Sequence, residues 1–145
     1  MHTFQRQFAT PTSPARPLVV SAPRTSDLPQ ISNAGISLSV LNDRARIAAR
    51  RIFDVMGWPA RTPVEHIVLD RVLAIRAAEP RGSRFAIDSR GHIRLPAAVQ
   101  RATGTAPGDA LLLMAIRACG VVAVLPPAVL FDALSPVLAR IEVLG

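Results

Sequence analysis

Seventeen arginines and no lysine carry the basic charge of this 145-residue chain, and they are the residues whose number and placement suggest a chemistry. Ten acidic residues leave a net charge of +7. The distribution is uneven. Residues 36–104 hold twelve arginines against six acids, whereas residues 105–145 hold two against three. Arginine offers a fixed planar fork of donors that matches phosphate oxygens and guanine edges. A basic field over the middle of the chain therefore points to an anionic partner. Other chemistries lack their residues. There is no phosphate-cradling glycine loop, no paired-histidine zinc motif and no nucleophile elbow. The acids are scattered, and the three histidines and single cysteine show no metal-ligand spacing. Cys119 sits beside Gly120 in an apolar setting and reads as a buried or turn thiol. No catalytic residue, metal or cofactor is expected.

The elements that must position the arginines centre on residues 85–126. Apolar Ile87, Ile93 and Leu95 lie among polar Asp88, His92 and Arg94, a pattern for strands with one wet face. Asp88-Ser89-Arg90-Gly91 supplies the turn, with Gly91 free to take positive φ. Pro96 suits the opening of a helix over 97–102, and Gly104 suits its stop. Pro107-Gly108-Asp109 is a second turn. Residues 110–116 and 121–125 are apolar runs around Ala118-Cys119-Gly120, a second hairpin.

The ordered set Asp88-x-x-Gly91-x-Ile93-x-Leu95-Pro96, then Val99, Gly104 and Pro107-Gly108-Asp109, resembles the AbrB/MazE/SpoVT family over roughly residues 84–126. The resemblance implies an α+β swapped-hairpin fold, in which two hairpin–helix–hairpin units interlock into one small β-barrel. It also implies a DNA-binding transcription regulator, or the antitoxin of a toxin–antitoxin pair. By position it assigns DNA contacts to Arg84, Arg90, His92, Arg94 and Arg101, with Gln100 at a helix position that is arginine in AbrB-like regulators.

Residues 35–80 repeat the order of elements. Residues 36–40 alternate as a strand, Asn42-Asp43-Arg44-Ala45 is a turn candidate, and Arg46-Ile47 begins a return strand. Residues 48–56 form a helix stopped by Gly57-Trp58-Pro59. Two apolar runs then flank Asp70-Arg71, a two-residue hairpin turn. Superposing Asn42 on Asp88 places Arg44 on Arg90, Arg46 on His92 and Ile47 on Ile93; further along, Gly57 falls on Gly104 and Ala74 on Ala123. A tandem duplication would put both halves of the barrel in one chain. The first half would be degenerate, with Arg50 in place of Pro96 and Ala45 in place of Gly91. Arg44, Arg46, Arg50 and Arg51 would then extend the DNA-binding surface. The competing expectation is a helical module, with amphipathic helices over 41–57 and 63–78.

The expected organisation is a Pro/Ser/Thr-rich disordered tail over 1–34, a degenerate half over 35–80, a DNA-binding half over 81–126 and an amphipathic helix over 127–145. That last helix has apolar residues at three- and four-residue spacings and Pro136 inside it. It packs on the barrel, or serves a homodimer or a toxin. The apolar stretch 110–125 is too short and too broken for a membrane span. The N-terminus lacks the apolar region of a secretory signal, so a cytoplasmic, nucleoid-associated location is expected. The functional expectation is a regulator bound to double-stranded DNA, with the antitoxin as runner-up and a plain oligomerisation module third.

Overall fold

The computed structural model describes residues 35–145; the tail expected over 1–34 lies outside them. The first half runs β1 (Ile36–Val40), β2 (Arg46–Ala48), α1 (Arg50–Met56), β3 (Pro63–Leu69) and β4 (Val72–Ala77). The second runs β5 (Phe85–Ala86), β6 (His92–Arg94), α2 (Ala97–Thr103), β7 (Ala110–Ile116) and β8 (Val121–Leu125), followed by α3 (Pro127–Glu142). The protein is α+β: a curled antiparallel sheet in the order β1-β7-β8-β4-β3-β5 forms a half-barrel, and β2 pairs with β6 separately. The 63–78 segment is therefore a hairpin and not a helix. Its β-branched Ile67, Val68, Val72 and Ile75 suit a pleated surface.

The pairing carries a consequence for how the two halves meet. Neither β1 nor β5 pairs with the strand that follows it. β1 lies against β7, and β5 against β3, so each half lends its first strand to the hairpin of the other. The register is the same in both places: Val40 opposes Ala110 as Ala86 opposes Pro63, and Ser39 opposes Leu111 as Phe85 opposes Val64. Loop hydrogen bonds obey the same exchange. Ala49 N–H donates to the Gly91 carbonyl, and Leu95 N–H to the Ala45 carbonyl. The exchange axis passes through the Ile47–Ile93 pair and the Ala74–Ala123 pair.

The half-barrel closes because both ends of this axis feed one core. Ile47 and Ile93 point inward from β2 and β6 and are buried with Leu73 and Ile75 of β4 and Val122 and Val124 of β8. The halves fill that core unequally. α1 buries Ile52 and Phe53, whereas α2 buries only Thr103 and presents Val99 and Gln100 at the matching positions. Both helices stop on a left-handed glycine, Gly57 and Gly104, whose N–H groups cap the last carbonyls.

Two tight turns show what local sequence controls. In each, a side-chain oxygen caps the chain: Asn42 Oδ1 accepts the Arg44 and Arg46 N–H groups at 2.9 Å, and Asp88 Oδ1 accepts those of Arg90 and His92 at 2.8 Å. The last turn residue is left-handed in both, Gly91 at φ 79° and Ala45 at φ 60°. Ala45 is strained there, since a Cβ in this region costs about 1 kcal/mol. Ala45→Gly is expected to stabilise the fold by roughly 0.5–1 kcal/mol, read as a higher urea midpoint at unchanged slope.

Candidate nucleic-acid interface

Among the described residues, the β2–β6 pair is the one place where paired strands set two arginines face to face. Arg46 lies directly opposite Arg94, Ile47 opposite Ile93, and Ala48 opposite His92. Because Ile47 and Ile93 face the core, strand alternation sends the other four residues outward. Arg46 and Arg94 are exposed; His92 is half-buried. The outer surface of the pair therefore has an end with two arginines, Arg46 and Arg94, and an end with none, Ala48 with His92.

Like charges placed opposite each other on adjacent strands destabilise a sheet. Local compensation is slight. Arg46 reaches Asp88 Oδ2 at 3.6 Å, an exposed pair worth little. Arg94 has no ion pair among the described residues. Burial alone would push the Asp88 carboxyl up, but the His92 and Arg90 amides, with the charges of His92 and Arg46, outweigh it and hold the group below its usual value. Asp88 is therefore ionised at neutral pH and offers Arg46 its one ion-pair partner among the described residues.

The other expected contacts divide by position. Arg44 and Arg90 sit exposed in the two tight turns that enter β2 and β6. Arg50 and Arg51 open α1 and are exposed. These six arginines occupy the turns, strands and helix start around the exchange axis. Arg101 is exposed in the last turn of α2. Arg84 lies apart from the strand pair: with His66, Ser83, Phe85, Pro96 and Val99 it lines an open groove of about 400 Å³.

Gln100 Nε2 donates to the Leu95 carbonyl at 2.9 Å, so one of its amide hydrogens closes the chain before α2. Sequence spacing does not reveal this, because the acceptor is a backbone atom.

His66 is a feature that sequence reasoning missed. Its Nε2 donates to the Arg94 carbonyl at 3.1 Å, and its ring meets Phe85 edge-on at 4.9 Å. Burial pushes its pKa below the usual histidine value, and the Arg94 bond opposes this only in part. Nδ1 is buried without a partner. The matching position in the other half is Leu113, which is fully buried. The groove beside His66 is lined on the α2 side by Ala98 and by Val99, which stands where the other half has Ile52. The imidazole ties β3 to the backbone of Arg94, which helps to hold that arginine's strand.

Among the described residues, no three His, Cys, Asp or Glu side chains come together as a metal site. No described helix is long and apolar enough to cross a membrane. Cys119 is exposed in a single helical turn between β7 and β8, the turn thiol of the two alternatives its neighbours suggest. No protein-family model and no curated protein matches this chain.

Proposed function

We propose that this chain is a sequence-selective, DNA-binding transcription regulator of the AbrB/SpoVT type, with two swapped-hairpin halves on one polypeptide. The observation that carries the reading is the Arg46–Arg94 pair. Two guanidiniums held opposite each other, outward and nearly uncompensated, cost the free protein stability. A polyanion bound between them reverses the sign of that interaction. Arg44, Arg90, Arg50 and Arg51 supply further phosphate contacts around it, which position the protein on the duplex. The exchanged strands support the swapped-hairpin assignment, since they join two hairpin–helix–hairpin units about one axis. A nucleoid location accompanies the function. The antitoxin reading shares this face and adds a toxin on a terminal segment; the exposed apolar helix α3 is the feature that favours it.

The test is a salt titration of binding between the full chain and duplex DNA from upstream of its own gene. With four to six phosphates neutralised, log K should fall against log salt with a slope of roughly −4 to −5, at ~0.9 per phosphate. A slope near zero, or no binding at low salt, would overturn the reading.

A further inference from the structure

His66 stands where the two halves meet. It belongs to β3 of the first half, and its Nε2 bonds the backbone of Arg94, in β6 of the second, at 3.1 Å. The acceptor is a carbonyl, so Nε2 carries the proton of the neutral ring. Nδ1 is then a bare lone pair, buried with no partner. The neutral ring leaves one acceptor idle. A second proton would place a charge, and an N–H with no oxygen to receive it, in the same confined spot. No neighbour offsets that charge. On β3 the adjacent residues are Glu65 and Ile67, and β4 sets Ile75 opposite the ring. Glu65 is already engaged by Arg76 of β4. Arg84, ahead of β5, lines the same groove as His66, and β6 brings Arg94, so both of those elements contribute cations. α2 brings only Ala98 and Val99, and Phe85 meets the ring edge-on. The Ser83 hydroxyl gives its hydrogen to the Val64 or Phe85 carbonyl and accepts the Phe85 N–H.

We propose that His66 is a proton-operated latch between the two halves. Neutral, the ring holds β3 to the backbone of Arg94. When Nδ1 takes up a proton, the ring leaves that carbonyl and turns into the groove beside it, and the interlock loosens. The groove supplies the second position. It holds about 400 Å³, is open to solvent and already has His66 in its wall, so water there can solvate the charged ring. The other half lacks the device. Leu113 stands at the matching position, fully buried and unable to titrate, so one crossing between the halves responds to acid and its counterpart does not.

The direction of the response follows from the environment of the ring. Burial holds its pKa below the ordinary 6.5, and the Arg94 bond opposes this only in part. The unfolded chain therefore binds the proton more readily than the folded one. The stability that the latch contributes is intact above pH 6.5 and is lost as pH falls through the folded value.

The test is urea unfolding of the full chain, without DNA, from pH 8 to pH 5, for wild type, His66→Leu and His66→Gln. Both variants remove the titration, and glutamine can still donate to the Arg94 carbonyl. Below the ordinary histidine value the unfolding constant of wild type should rise relative to both variants, at up to about tenfold per pH unit, the limit for one proton. His92 and the carboxylates titrate alike in all three. Nitrogen-15 shifts of the wild-type ring should put the proton on Nε2 at pH 8 and show a pKa below 6.5. The Leu95 amide, which bonds the Ala45 carbonyl across the halves, should exchange faster in wild type than in His66→Gln at pH 5 and equally at pH 8. A ring pKa at or above 6.5, equal pH slopes in wild type and variants, or Leu95 exchange that never differs would overturn the proposal. The ring titration is read on wild type, so it decides even where a variant fails to fold. With no DNA present, none of these outcomes depends on what the basic face binds.

Discussion

Alanine at both Arg46 and Arg94 should lower DNA affinity roughly tenfold or more at low salt, since each removes a charge-assisted contact. The salt slope should flatten by about two, at ~0.9 per phosphate. Stability should hold or rise slightly. The two guanidiniums repel each other across the strand pair, and Arg46 loses only a weak exposed contact with Asp88. A structural role for these arginines would give the opposite pattern, with folding impaired and any loss of binding following from it. Asp88→Asn supplies a control of opposite sign. Asparagine keeps the oxygen that caps the turn, as Asn42 does in the other half, while the negative charge facing Arg46 is removed. Binding should tighten a few-fold, with a small loss of stability because the fold favours the charged form of Asp88. A double arginine variant that binds as tightly and with the same salt slope as wild type removes β2–β6 from the interface.

Gly91→Ala should destabilise the fold by about 2–4 kcal/mol, measured by urea unfolding. Two costs combine. Gly91 has φ 79°, where a Cβ costs about 1 kcal/mol. That Cβ would also lie 2.6 Å from Arg50 Cβ and 2.9 Å from Arg50 Cα. The second contact is backbone at the start of α1, so relief requires the helix to move off the core it fills with Ile52 and Phe53. Overpacking of this kind costs ~1–3 kcal/mol. The comparison with Ala45 isolates the contact: both residues are left-handed, yet the other half accepts an alanine. A Gly91→Ala loss no larger than the Ala45→Gly gain would mean that backbone conformation alone is at work and that the approach of Arg50 does not matter.

What could be read from sequence was local. The turn at Asp88–Gly91, the glycine stops at Gly57 and Gly104, the Asp70-Arg71 hairpin turn and the apolar strands β7 and β8 each depend on residues within a few positions of one another. The strand pairing was not legible. Alternation shows which face of a strand is buried, but not which strand lies beside it. Ile87 and Ile93 suggest one hairpin around the turn, whereas β5 and β6 diverge there to separate partners, β3 and β2. Gln100 and His66 escaped for a related reason. Both are held by backbone carbonyls, of Leu95 and Arg94, and a carbonyl has no signature in the sequence. The apolar spacing of α3 marked a helix with a sticky side, yet nothing in the spacing showed that the chain itself would leave that side open.

The two halves related by the exchange axis are not copies. Arg46 corresponds to His92, and Ala48 to Arg94, so both strong cations fall at the same end of β2–β6. Two identical chains related by a true two-fold would repeat one residue set at both ends, and would favour a palindrome. A single chain is released from that rule, and each end can change without the other. If the proposed DNA reading holds, the site would have a head and a tail, and the protein would sit on it in one direction.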